Sequence, residues 1–373
     1  MKLKRLAAAL ILAAACVLLC ACGGGSKEPV RDAVSIWYLE GEPLAGELSE
    51  LAREYNENVE GELLTVALRP FSDEEALGAA FETAQPDLLL CSYQKAEELY
   101  ERGILRDIGA ALEADAPQYA DTLRARFASM GRGFFPIGSL IQLLYYREDS
   151  LNAKQLSDPD ALFTYAALQG SQDHLPFFTA DSYAALFYEL LLSLDTEFRA
   201  DRQLDLRQVN YIYLYNLLAE AAYEGSLVSM SYTGEELVSG GYLPCAAVSS
   251  ASLVDAPLDG FSLSPLPHFQ SGKACVGNMT GLAVTARSGR SIRSISAFLR
   301  FLFSENRAAE LSLKSGLLPA MEAAVPAEEN RLSQTLMEIY KGYELHLPDT
   351  AGDYMKNSAS FEDEFRRALS LLS

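Results

Sequence analysis

Pro86-Asp87 opens onto Leu88-Leu89-Leu90-Cys91, an apolar run with no polar face. A strand of that kind belongs inside a sheet covered on both sides, the usual setting of parallel strands. The neighbouring segments supply the covering layers. Ala33 to Leu39 (AVSIWYL) is a β-rich run, and Leu44 to Tyr55 carries Leu44, Leu48, Leu51 and Tyr55 at helical spacing. Leu63 to Leu68 reads as a second strand and Asp73 to Thr83 as a second helix. Lys95 to Arg102 is a third helix that stops at Gly103, a C-cap residue. Strand and helix in strict alternation predict a doubly wound α/β unit.

Further on the pattern changes. From Asp149 to about Glu224 the chain reads as mostly helical, with long segments at Ala180 to Leu194 and Gln208 to Tyr223. Strand character returns at Tyr242 to Ser249, Phe261 to Leu266 and Gly281 to Thr285. Ser291 to Phe303 is amphipathic, and helices are expected from there to the end. The return of strands after a helical middle predicts two crossings between lobes, near Gly138 to Leu140 and near Leu258 to Phe261.

The N-terminus carries a different message. Lys2, Lys4 and Arg5 precede the apolar run Leu6 to Ala21. That run is shorter than the ~20 residues a spanning helix needs, and its basic start marks a secretion signal. Leu19-Cys20-Ala21-Cys22, followed by Gly23-Gly24-Gly25-Ser26-Lys27, resembles the bacterial lipobox. The resemblance implies a signal peptide over 1–21, diacylglycerol on the Cys22 thiol, and a flexible tether over 22–32. It further implies a protein held at the extracytoplasmic face of the cell membrane by that lipid.

Composition removes several function classes. Beyond the signal, 27 basic side chains face 51 acidic ones. Such an excess of negative charge argues against nucleic acid, which needs basic patches. His174, His268 and His346 are far apart and lack companions at ligand spacing, so no metal is expected. Phosphate-binding, dinucleotide and nucleophile-elbow motifs are absent, so neither a cofactor nor catalysis is expected. Cys91, Cys245 and Cys275 are expected to be small buried apolar residues.

Several ordered segments resemble the extracellular solute-binding proteins of sugar-type ABC importers, the maltose-binding-protein-like family. They are Ile36-Trp37 with Gly41, Gln85-Pro86-Asp87-Leu88-Leu89, Gly103-Ile104-Leu105-Arg106-Asp107-Ile108 and Phe135-Pro136-Ile137-Gly138. Leu144-Tyr145-Tyr146-Arg147-Glu148-Asp149, Pro265-Leu266-Pro267, Gly281-Leu282-Ala283-Val284, Ala297 to Leu302 and Gly316 to Ala320 continue the series. The resemblance implies an α/β, two-lobed periplasmic-binding-protein-like fold of type II. Each lobe would be a mostly parallel sheet flanked by helices, with discontinuous lobes joined by crossing strands. The expected division is 33–138 and 261–305 in lobe 1, and 139–260 and the C-terminal helices 306–373 in lobe 2. The implied function is capture of a small solute, a carbohydrate foremost, in the interlobe cleft and delivery to an ABC permease by a monomer. The alternative is a surface sensor or assembly protein on the same scaffold without transport.

Carried over onto this sequence, the family's cleft loops give Tyr38, Glu40, Ser92, Tyr93, Gln94, Ser139, Ser249, Ser250, Asn278 and Thr280 as ligand-binding candidates. The carboxylate, amides and hydroxyls suit a hydroxylated ligand, and the tyrosines can stack on an apolar sugar face. Sugar-binding members place several tryptophans in the cleft, whereas this chain has one, Trp37. Micromolar affinity is therefore expected.

Overall fold

The computed structural model describes residues 33–61, 63–108, 133–173, 175–194, 209–229, 232–269, 273–286, 292–304, 306–321, 330–347 and 353–372. The signal, Cys22, the tether and His174 lie outside them.

Two sheets organise the described residues. The first contains β1 (Ala33–Leu39), β2 (Thr65–Phe71), β3 (Leu88–Ser92), β4 (Phe134–Leu140), β10 (Asn278–Val284) and β11 (Leu318–Pro319), in the order β11-β4-β10-β3-β1-β2. The second contains β5 (Gln142–Arg147), β6 (Phe178–Ala180), β7 (Cys245–Ser249) and β8 (Phe261–Ser264), ordered β6-β7-β5-β8. A two-stranded ribbon pairs β9 (Ala274–Val276) with β12 (Glu344–His346).

The run that dominates the sequence is buried as its composition demands. Leu88 and Leu90 face one side with Val34 and Ile36, covered by α1 (Ala45–Asn58) and α8 (Ile292–Phe303). Leu89 and Cys91 face the other side with Trp37, covered by α2 (Glu74–Thr83) and α3 (Tyr93–Glu101). Each such leucine contributes about 1.5–3 kcal/mol relative to exposure. Caps set the helix starts: Asp73 accepts the Ala76 N–H at 2.8 Å, and Ser92 accepts the Lys95 N–H at 3.3 Å.

The second sheet is wrapped by α4 (Pro159–Asp173), α5 (Tyr183–Leu194), α6 (Val209–Tyr223) and α11 (Asp353–Leu372), with short α7 (Gly234–Ser239) beside β7. Helices α9 (Arg307–Lys314) and α10 (Arg331–Gly342) complete the set. Ala309 and Leu313 of α9 join Leu332 and Leu336 of α10 in a core shared with β5 and β7. The three cysteines are free and buried.

Several expectations change. Neither sheet is mostly parallel: β10 runs antiparallel to β3 and β4, and β5 antiparallel to β7 and β8. The return crossing comes later than Leu258 to Phe261. Phe261 opens β8, which bonds to β5 and stacks on Tyr145 at 5.1 Å, so 261–264 belong to the second sheet and not with lobe 1. Residues 307–319 likewise leave the expected lobe 2 set, because Leu311 packs on the first sheet and β11 pairs with β4. The helical middle contains β6, and the C-terminal helices are interrupted by β11 and β12.

Candidate functional site

Helix α1 leaves β1 on one face of the first sheet, while α3 leaves the adjacent β3 on the other. The two connections diverge and open a crevice at the carboxyl ends of the strands, the position where open α/β sheets bind ligands. Glu40 stands exposed on the β1 side, anchored by its N–H to the Phe71 carbonyl at 2.9 Å. Glu42 follows, half-buried. Burial, and then the charge of Glu74, push its pKa up to about 7. Lys95 lies 3.6 Å from Glu74 and balances it in part. The Cys91 thiol is raised by burial first and then by Glu42, which keeps it protonated and unreactive.

The same edge of the sheet leads into the second one. Ile141 alone separates β4 from β5, and register fixes what gathers there. Asn278 pairs with Leu140, and Thr280 pairs with both Ser92 and Gly138. Across the link, Gln142 pairs with Ser249, so the ends of β6, β7 and β8 also point toward the crossing. Ser250 clamps the link from both directions. Its N–H donates to the Ile141 carbonyl at 2.9 Å, and its Oγ accepts the Ile141 N–H at 3.3 Å.

Asp181, just past β6, accepts N–H groups from Gly234 at 2.8 Å and Ser249 at 2.7 Å. Arg366 of α11 donates to the carbonyls of Ala180 and Asp181 and pairs with Glu362, which caps α5 through Ala184 N–H at 2.7 Å. Gln142 donates through Nε2 to the Ser182 carbonyl at 3.0 Å, leaving its buried Oε1 without a partner among the described residues. A buried acceptor of this kind costs about 1–3 kcal/mol until something donates to it.

No protein-family model matches the sequence, and no curated protein shows significant sequence similarity to it. Solved structures do match. The cyclic alpha-maltosyl-1,6-maltose binding protein from Arthrobacter globiformis superposes with a TM-score of 0.70 at 14% identity, covering 92% of this chain and 95% of that one. UgpB from Mycobacterium tuberculosis in complex with glycerophosphocholine gives 0.70 at 17% identity, over 91% and 96%. An ABC substrate-binding protein from Listeria monocytogenes in complex with cycloalternan gives 0.67 at 14%, over 92% and 95%. This chain has the two-lobed fold of the ABC substrate-binding proteins.

Within that substrate-binding-protein fold the candidates separate into two groups. Glu40 and Asn278 are exposed, and Tyr38, Ser92, Gln94 and Ser249 are half-buried along the crossing edge. The Oε1 of Gln94 is buried and unpartnered, whereas the Ser92 hydroxyl is engaged in capping α3. The other four are packed into the scaffold. Tyr93 bonds Glu97 at 3.0 Å and packs on Phe134, so its ring has no open face for stacking. Ser139 is fully buried, Ser250 holds Ile141, and Thr280 is only 6% exposed. Trp37 packs between Phe71 and Phe81 in the core and is no sugar platform.

Glu42 and Gln142 close two of the loops the resemblance implies, Tyr38 to Glu42 and Gly138 to Gln142, without being among the candidate residues, and Asp181 lies outside all of the implied loops. Glu42 stood in the right loop, next to Gly41 and Pro43, and its signal was available. Asp181 was hidden because β6 is three residues long and abuts a helix. Among the described residues no cluster of His, Cys, Asp or Glu is arranged to hold a metal ion, and no helix is long and apolar enough to cross a membrane.

Proposed function

We propose that this chain is a lipid-anchored, extracytoplasmic solute-binding protein that captures a small hydroxylated solute, a carbohydrate foremost, between its two lobes and passes it to an ABC permease. The observation that carries this reading is the row of polar groups along the strand ends of both sheets, on the edge that leads into the one-residue link Ile141. Glu40, Glu42, Gln94 and Asn278 come from one side, and Gln142 and Ser249 from the other. A ligand touching both sets binds the closed arrangement more tightly than the open one, and that difference drives closure.

The ligand class draws support from the structural neighbours: one is named for binding cyclic alpha-maltosyl-1,6-maltose, and the other two are in complex with cycloalternan and glycerophosphocholine. All carry hydroxyl groups. The exposed carboxylate of Glu40 and amide of Asn278 are able to hydrogen-bond such groups. With Trp37 in the core, affinity rests on hydrogen bonds, and micromolar binding is the expected range, about −8 kcal/mol. Lobe 1 comprises the six-stranded sheet with α1, α2, α3 and α8, and lobe 2 the four-stranded sheet with α4 to α7 and α11. The lipobox of Cys22 supplies the anchor, and binding without turnover is the role.

A thermal-shift screen against sugars, glycerophosphodiesters, amino acids and polyamines tests the reading. At a hundredfold excess over Kd a true ligand stabilises by about 2.7 kcal/mol, a rise in Tm of about 4 °C for a chain of this size. Stabilisation by polyamines or amino acids, with none by hydroxylated solutes, overturns the ligand class.

A further inference from the structure

The return from the second sheet to the first passes through β9 (Ala274–Val276), and this strand is fastened to α5 by a buried carboxyl. Glu189 lies in the middle of α5 and is 3% exposed. Its Oε2 accepts the Val276 N–H of β9 at 3.1 Å. Tyr188 and Leu192 of the same helix pack on Ala274 and Val276, so one face of α5 grips β9 while other residues of the helix pack on the second sheet. The very next residue, Gly277, has no room for a side chain: a Cβ there would lie 2.1 Å from Ser139 Oγ of β4 and 2.6 Å from Leu345. The carboxyl therefore holds the crossing at the point where the chain changes sheets.

We propose that Glu189 is a proton-operated latch on the return crossing, holding β9 against α5 while protonated and loosening it when the proton is lost. The groups around it favour that direction. From the crossing, the His268 Nε2 is 4.0 Å from Glu189 Oε1. That nitrogen lies 2.6 Å from the Ala274 carbonyl, so it carries a hydrogen and presents no lone pair to the carboxyl. Burial lowers the His268 pKa, hydrogen bonds to the Ala274 and Leu266 carbonyls offset part of that, and Lys273 lowers it further, so the ring is reluctant to take a second proton. Lys273 itself sits over the Tyr343 ring at 5.5 Å.

Tyr343 and Cys275 add no cation. Burial, then Glu189 and Cys275, push Tyr343 up to about 12. Glu338 acts on Tyr343, and α10 and β12 also carry the titratable Tyr340, Lys341, Glu344 and His346, with His346 3.8 Å from Glu344. Burial raises Glu189 itself to about 8, and the Val276 hydrogen bond offsets only part of that. An ionised Glu189 thus faces a buried site in which, among the described residues, the neutral His268 is the nearest basic group, and exposure to water relieves the charge.

The consequence for solute capture rests on the function proposed above; the latch itself does not, and its test needs no solute. Hydrogen exchange of 274–276 is followed between about pH 6.5 and about pH 9.5, normalised to the 88–92 core strand to remove the intrinsic base catalysis. The normalised exchange is expected to rise about tenfold or more across that range in the natural chain and to stay flat in Glu189→Gln, which keeps the shape without the charge. A flat profile in the natural chain, or a rise that persists in Glu189→Gln, overturns the latch. Should that variant not fold, carbon-13 glutamate spectra of the natural chain decide: a carboxyl titrating in step with the exchange supports the latch, and exchange rising with no carboxyl in step overturns it.

Discussion

Glu42 offers a test of the crevice electrostatics that needs no ligand. Its carboxyl titrates near pH 7 in the folded protein against an ordinary value of 4.5. Between those values the folded state holds a proton that the unfolded state has released, so stability falls as pH rises through the window. The full shift corresponds to about 3 kcal/mol, and residual solvent access at a half-buried site reduces this to about 1.5–3 kcal/mol. Glu42→Gln replaces the protonated acid by a neutral group of the same shape.

At pH 4.5 and below, the variant and the natural protein should have equal stability. By about pH 8.5 the variant should be more stable by about 1.5–3 kcal/mol, with the difference growing chiefly between about pH 5 and about pH 7.5. Urea denaturation of both proteins across this range measures it. Glu74→Gln should shrink the effect, since Glu74 is the second contributor to the shift. A stability difference independent of pH would refute the reasoning, because it would show that Glu42 titrates normally and that the crevice is open to water.

Three further outcomes are expected. Tyr93→Ala should lower stability by about 3 kcal/mol, since it empties a packed site against Phe134, whereas Asn278→Ala should leave Tm nearly unchanged and weaken solute binding in calorimetry. Gly277→Ala should destabilise by about 1–3 kcal/mol in thermal unfolding, because the added carbon collides with Ser139 and Leu345. Ser139→Gly in the same chain should restore part of the loss. Cys22→Ala should leave the precursor unprocessed or release the protein from membranes, as seen by fractionation and lipid labelling; membrane retention with normal signal removal would count against a lipobox.

What the sequence determined by itself was whatever local pattern enforces. The apolar run Leu88 to Cys91 has no polar face to show to water, and it is covered on both faces. Helices at 45–58, 183–194 and 292–303 follow from apolar residues at helical spacing, and Asp73 caps α2 through its own side chain. The candidate loops came from the family resemblance and not from any local pattern, and Asn278 stands at the start of its strand, where a carboxyl-end rule does not point.

Long-range pairing was not legible. Short β6, β9, β11 and β12 have two or three residues each, too few for any periodicity, and they exist because a neighbouring strand supplies their hydrogen bonds. The sheet to which Phe261 belongs was decided by Tyr145, more than a hundred positions earlier. Nor does residue type tell which polar side chains the packing consumes. Tyr93 and Asn278 look equally suited to a ligand in sequence, yet Phe134 and Glu97 enclose the first while the second stands at the open end of β10. Burial is a property of what other segments bring into contact, and only the tertiary structure assigns it.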